Sequence, residues 1–212
     1  MTPSAPSLPA QERPGPDREY SSRFWTVPNV LTLFRIALVP VFAVLMIERR
    51  PKAAFLVFLV AGTTDVLDGF AARTWHQRTK IGLFLDPAAD KLMMTTAFIL
   101  LAFPTLAVPN VLPLWLVLVS IGRDIAIVLA ACVMYRIRGI KTFPPSLLGK
   151  ASTVCQVLMI WLVLLANALD MAAPNLFWVY VLAVVLAVVS GVDYGIKGWR
   201  RTFPKPAAGS GS

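Results

Sequence analysis

Residues 65–90 read DVLDGFAARTWHQRTKIGLFLDPAAD. The stretch joins two apolar runs through a short basic hinge, Arg73 to Lys80, and places Asp65, Asp68, Asp86 and Asp90 inside those runs. Spacings of i,i+3 and i,i+4 put each pair of aspartates on one face of its helix. Counted from the hinge at about 1.5 Å per residue, both pairs lie at a similar depth, roughly 8–15 Å into their helices. Two antiparallel helices thus present four carboxylates at one level. An acid inside a membrane helix costs about 2.5–3.5 kcal/mol on insertion scales, so four of them need a reason.

The rest of the chain agrees with a membrane setting. Of its 212 residues, 57% are hydrophobic and 15% charged, and the mean hydropathy is +0.70. Soluble domains carry about 25% charged residues, so this composition excludes a small soluble domain and a disordered chain alike. Apolar runs cover Val30–Ile47, Ala53–Ala72, Leu83–Phe103, Pro113–Tyr135, Ala151–Leu169 and Leu176–Ile196. Six spans of about 20 residues account for nearly all of the hydrophobic content. Pro51, Pro104, Pro109, Pro144, Pro145 and Pro174 punctuate the joints. The expected architecture is all-α, a polytopic membrane domain of six transmembrane helices over 23–200 with a polar cavity facing the cytoplasm. Residues 1–22, proline-rich and charged without an apolar stretch, are expected to form a disordered cytoplasmic tail rather than a signal peptide. Residues 201–212 are expected to be a flexible tail.

The net charge of +9 does not point to nucleic acid, because the cations sit between apolar runs instead of clustering. With the N-terminus in the cytoplasm, fourteen of the 20 Lys and Arg residues fall on that side, and only Arg49, Arg50 and Lys52 on the other. The positive-inside rule then places both termini and the aspartates at the cytoplasmic face, here of a cell (bacterial inner) membrane. Arg35, Lys91 and Arg123 remain within spans. Cys132 and Cys155 lie in apolar runs and read as small hydrophobes, not as a disulfide or metal site.

Four close carboxylates repel one another and take up protons unless cations neutralise them. No His or Cys accompanies them, so an all-oxygen ligand set suits Mg²⁺, Mn²⁺ or Ca²⁺ and not zinc. Two divalent ions in such a cluster can clamp a phosphoryl centre. The alternative is that the acids merely pair with Arg73, Lys91 or Arg123.

The pattern Asp65-x-x-Asp68-Gly69-x-x-Ala72-Arg73, followed after eight residues by Gly82-x-x-x-Asp86-x-x-x-Asp90, resembles the signature of the CDP-alcohol phosphatidyltransferase family without a gap or substitution. The resemblance extends over roughly residues 25–200 and implies six helices and transfer of a phosphatidyl group from CDP-diacylglycerol to an alcohol, with release of CMP. It implies that the four aspartates hold two divalent cations, Mg²⁺ or Mn²⁺, and that Asp90 is also the general base. It assigns Asp65, Asp68, Gly69, Ala72, Arg73, Gly82 and Asp86 to the CDP moiety. The glycines would let nucleotide and diphosphate approach the backbone, and Arg73 suits phosphate oxygens. Thr79 either contacts the nucleotide or is a solvated loop hydroxyl. The family also suggests a homodimer.

Two polar stripes flank this motif. Asn29, Thr32 and Arg35 share one face of the first run and are expected to point at the aspartates, with Asn29 and Thr32 near the CDP moiety; the alternative is that Arg35 snorkels. Lys150-x-x-Thr153-x-x-Gln156 opens the fifth run. Arg123 and Asp124 sit mid-span in the fourth; being 100° apart they need not pair with each other, and Arg123 is either an acceptor ligand or a structural partner. Arg35, Arg123, Lys150 and Thr153 are the candidate acceptor pocket. A phosphate-bearing acceptor fits those cations, and the stripes resemble phosphatidylglycerophosphate synthases, so glycerol 3-phosphate is the expected acceptor. Phosphatidylglycerol, which would make a cardiolipin synthase, and inositol phosphate are the alternatives. A cation transporter is the rival of another class, but it predicts acids spread through the membrane depth, often with repeat symmetry.

Overall fold

The computed structural model describes residues 26–74, 82–138 and 146–202, with side chains over most of them. These form six α-helices: α1 Val27–Ile47, α2 Pro51–Thr74, α3 Gly82–Leu101, α4 Leu114–Arg138, α5 Leu147–Ala168 and α6 Leu176–Thr202. Each coincides with one apolar run, and the differences lie at the ends. Helix α5 starts four residues earlier than its apolar run, because Ser146 caps it by accepting a 3.0 Å hydrogen bond from Gly149 N. Helix α6 continues past Ile196 through a polar turn in which Lys197 pairs with Asp193 at 2.7 Å.

Among the described residues, three helical segments are long and apolar enough to cross a membrane: Asn29–Ile47, Leu147–Ala168 and Leu176–Lys197. Helices α2, α3 and α4 carry the in-span acids Asp65, Asp86, Asp90 and Asp124. Apolar side chains such as Val44, Leu56, Ile99, Leu118, Leu158 and Leu182 nevertheless face outward on all six helices. A bundle that is apolar inside and outside is built for an apolar solvent. The chain is an integral membrane protein.

Helix α1 packs on both α2 and α3, α5 on α2 and α6, and α4 on α6, while α3 meets α4 and α5 only sparsely. The core between α1 and α2 includes Phe42 and Phe58, whose rings are 5.7 Å apart. Helices α5 and α6 cross closely at Gly149, where a Cβ would stand 2.8 Å from the Tyr194 ring. Tyr194 Oη accepts a 3.0 Å bond from Ser146 N at the same crossing. Cys155 is a half-buried free thiol against the core, as a small hydrophobe would be.

At the other end of the bundle, α1 and α5 stop in the same way. Arg49 (φ 55°) and Asp170 (φ 53°) adopt left-handed backbone, and the next amides, Arg50 N and Met171 N, bond back to Leu45 O and Ala166 O at 2.9 Å. A buried knot fixes the adjoining connections. Asn167 Oδ1 accepts from Asn110 N at 2.8 Å and Asn110 Nδ2 at 2.9 Å. Asn167 Nδ2 donates to Asn110 O at 3.0 Å, and Asn110 also bonds Met171 O and Ala173 N. Asn167→Ala would orphan a buried amide and carbonyl. Thermal unfolding in detergent should therefore fall by the equivalent of about 2–4 kcal/mol, with turnover below the transition retained.

Candidate functional site

The site is assembled on α1. Asn29, Thr32 and Arg35 are each 2% exposed or less, so the stripe faces inward and does not snorkel. Arg35 Nη1 lies 2.8 Å from Asp65 Oδ1 on α2. Thr32 Oγ1 donates to Asp86 Oδ1 on α3 at 2.5 Å. One helix therefore holds an aspartate from each arm of the motif, which is why α1 packs on both α2 and α3. Burying a guanidinium is tolerable only with an opposite charge beside it, and Asp65 supplies one.

Asp65 and Asp90 meet Arg35 and Thr153 at the polar end of a cavity of about 350 Å³ between α2, α3 and α5. The remaining wall is apolar, including Phe58, Met93, Val157 and Trp161. Trp161 lies flat enough on α2 that a Cβ at Gly62 would touch its ring at 3.4 Å, in line with a glycine expected to permit close packing. The cavity combines two carboxylates and a paired guanidinium with an otherwise apolar wall.

Among the described residues, no three acidic, His or Cys groups stand close enough to form a metal site. Asp65 is drawn toward Arg35 and Asp86 toward Thr32, and the fourth acid lies outside the described side chains. The side chains of Asp68, Ala72 and Arg73, and the surroundings of Gly69 and Gly82, are likewise outside them, although all five positions are helical. Thr79 lies wholly outside the described residues. The donor set itself, carboxylates with a hydroxyl behind one of them, fits a hard divalent cation.

The expected acceptor residues separate into two groups. Arg35 and Thr153 line the cavity; Lys150 is exposed on the first turn of α5. Arg123 is in neither place. It bonds Asp124 Oδ1 through Nη1 at 2.8 Å and Ser190 Oγ through Nη2 at 2.6 Å. Consecutive on the helix, Arg123 and Asp124 do pair, because the long guanidinium arm folds back across the 100° between them. Asp124 also takes Lys91 Nζ from α3 at 2.5 Å. No spacing rule could join Lys91 to Asp124; the available signal was that every in-span charge needs a partner.

The sequence pattern of the family described as CDP-alcohol phosphatidyltransferase matches residues 25–189. The chain belongs to that family. One relative, the CDP-diacylglycerol--glycerol-3-phosphate 3-phosphatidyltransferase of Bacillus subtilis, is 34% identical over 195 residues, covering 82% of this chain and 96% of that protein. The protein of the same description from Escherichia coli K12 is 35% identical over 178 residues, with 80% and 93% covered. The human cardiolipin synthase (CMP-forming) is 34% identical over an alignment of 167 residues, with 71% of this chain and 51% of that protein covered. The family match thus spans helices α1 to α5, the first half of α6 and the whole aspartate motif.

Sequence reasoning named Gln156 without foreseeing its state. Its side chain is fully buried, and among the described residues neither amide atom has a hydrogen-bond partner, nor does Ser152 Oγ one turn away. Unpaired buried polar groups cost stability. Gln156→Leu should therefore raise the thermal midpoint in detergent, by the equivalent of about 1–2 kcal/mol. A lowered midpoint would show that the amide is paired in the membrane-embedded protein.

Proposed function

We propose that this phosphatidyltransferase transfers the phosphatidyl group of CDP-diacylglycerol to the hydroxyl of glycerol 3-phosphate, giving phosphatidylglycerophosphate and CMP. The observation that carries this reading is the match, nearly end to end, to bacterial relatives described by that reaction. The enzyme sits in a cell membrane with six spans, both termini and the aspartates at the cytoplasmic face, and tails at 1–22 and 201–212. It works as a homodimer.

Asp65, Asp68, Asp86 and Asp90 would hold two divalent cations, Mg²⁺ or Mn²⁺, which when bound supply charge stabilisation to the phosphoryl group. The chain's own groups do the rest. Arg35 holds Asp65 and Thr32 holds Asp86, which sets where each carboxylate sits on its helix. Asp90 takes the proton of the acceptor hydroxyl; its oxygen forms the new bond to the phosphatidyl phosphorus as the bond to CMP breaks. Gly69, Ala72, Arg73, Thr79 and Gly82 receive the cytidine diphosphate, with Asn29 beside them. Arg35 and Thr153 stand nearest the attacking group, Lys150 at the entrance.

The cardiolipin synthase reading, with phosphatidylglycerol as acceptor, is supported by the human relative's description and by the apolar wall of the cavity. CMP release by the purified protein from CDP-diacylglycerol and Mg²⁺, with each acceptor alone, separates the two. Release with glycerol 3-phosphate is expected; release only with phosphatidylglycerol transfers the assignment, and release with neither overturns both. Thr32→Val removes the hydroxyl behind Asp86 while keeping its shape. The Mg²⁺ concentration for half-maximal activity should rise about tenfold, measured by metal titration.

A further inference from the structure

The charged groups that the reaction does not use form a continuous bridge. Lys91 of α3 donates to Asp124 Oδ2 at 2.5 Å, Arg123 to Asp124 Oδ1 at 2.8 Å, and Arg123 also to Ser190 of α6 at 2.6 Å. Asp124 is thus shared by two cations. Exposure falls along the bridge, from 42% at Lys91 through 21% at Asp124 to 8% at Arg123, ending on fully buried Ser190.

We propose that Asp124 is a positioning residue, which through Lys91 sets the rotation of α3 and hence the placement of Asp90. The proposal rests on Asp90 acting in the reaction described above. Three observations lead to it. Lys91 follows Asp90 directly, so α3 turns Asp90 to the cavity and Lys91, about 100° away, to α4. Apart from this bridge α3 meets α4 only sparsely, so little apolar packing fixes that side of the helix. Pro87 lies inside α3, between Asp86 and Asp90, and has no N–H for the carbonyl one turn earlier. The first turns of α3 therefore depend on lateral ties: Thr32 to Asp86 on one side, Asp124 to Lys91 on the other. A rotation of about 20° at a side-chain radius of about 5–6 Å moves a carboxylate by about 2 Å, and misplacement by about 1 Å can cost about 100-fold in rate.

Lys91→Met tests this with little risk to folding, since Lys91 is 42% exposed. Its kcat should fall about 10- to 100-fold while KM for donor and acceptor stays within about twofold and the thermal midpoint is unchanged. Lys91→Arg, which keeps the ion pair, should recover most of the rate. Asp124→Asn, which also takes the ion pair from Arg123, should lose at least as much rate as Lys91→Met, and the double variant should be no slower than Asp124→Asn, because Lys91 acts only through Asp124. The electron paramagnetic resonance spectrum of Mn²⁺ added to the same proteins supplies a readout without turnover. It should change with Lys91→Met and return with Lys91→Arg. A wild-type kcat in Lys91→Met, losses that multiply in the double variant, or a loss confined to acceptor KM would each overturn the proposal. So would a Mn²⁺ spectrum indifferent to Lys91, even for a protein that releases no CMP. Absence of CMP release in the wild type together with the expected spectral changes would instead remove the proposed reaction and leave the bridge's role in placing Asp90.

Discussion

The bundle depends on a guanidinium buried in an apolar interior. Arg35 is 2% exposed, and an unpaired charge there would cost several kcal/mol. Its 2.8 Å contact with Asp65 decides which face of α1 turns inward and which helix lies beside it. Asn29 and Thr32 share that face, so the same constraint brings Thr32 onto Asp86. Orientation of α1, pairing of α1 with α2, and seating of α3 are three consequences of one charge that must be neutralised. An apolar stripe could not have set them, because apolar side chains are equally at home inside the bundle and on its outer surface.

That asymmetry also explains what was legible in the sequence. The six helices were visible as runs of apolar residues, and their ends moved by only a few residues where Ser146 capped α5 or a polar turn extended α6. The inward turn of the Asn29–Thr32–Arg35 stripe was legible too, because polar groups in an apolar solvent have few places to go. The partnerships of α5 with α2 and α4 with α6 were not, since the small and apolar residues at those seams resemble the lipid-facing ones. Arg123 pairing with its neighbour Asp124, and Asp124 with Lys91, depended on how long side chains bend across a helix surface, which spacing alone does not encode.

The two ends of the molecule are held by different forces. Away from the motif, neutral amides and backbone groups of Asn110, Asn167, Met171 and Ala173 saturate one another, next to two left-handed helix stops. Around the aspartates the ties are ionic or charge-assisted, Arg35 to Asp65 and Thr32 to Asp86. A fully satisfied amide network rigidifies its surroundings. Charged groups with spare hydrogen-bonding capacity are what a phosphate-bearing substrate requires, and they lower the stability of the end that carries them.

The Arg35–Asp65 pair has a consequence for how the protein enters its membrane. Helix α1 is synthesised first, and its Arg35 alone would carry an insertion cost of about 2.5–3.5 kcal/mol. The carboxylate that offsets it arrives thirty residues later, on a helix whose own apolar stretch is interrupted by acids. Pairing with α2 offsets that cost, and Thr32 ties Asp86 of α3 to the same helix. Helices α5 and α6 also carry segments long and apolar enough to cross a membrane. The motif that equips the chain for chemistry thus also offsets the charge carried by its first helix.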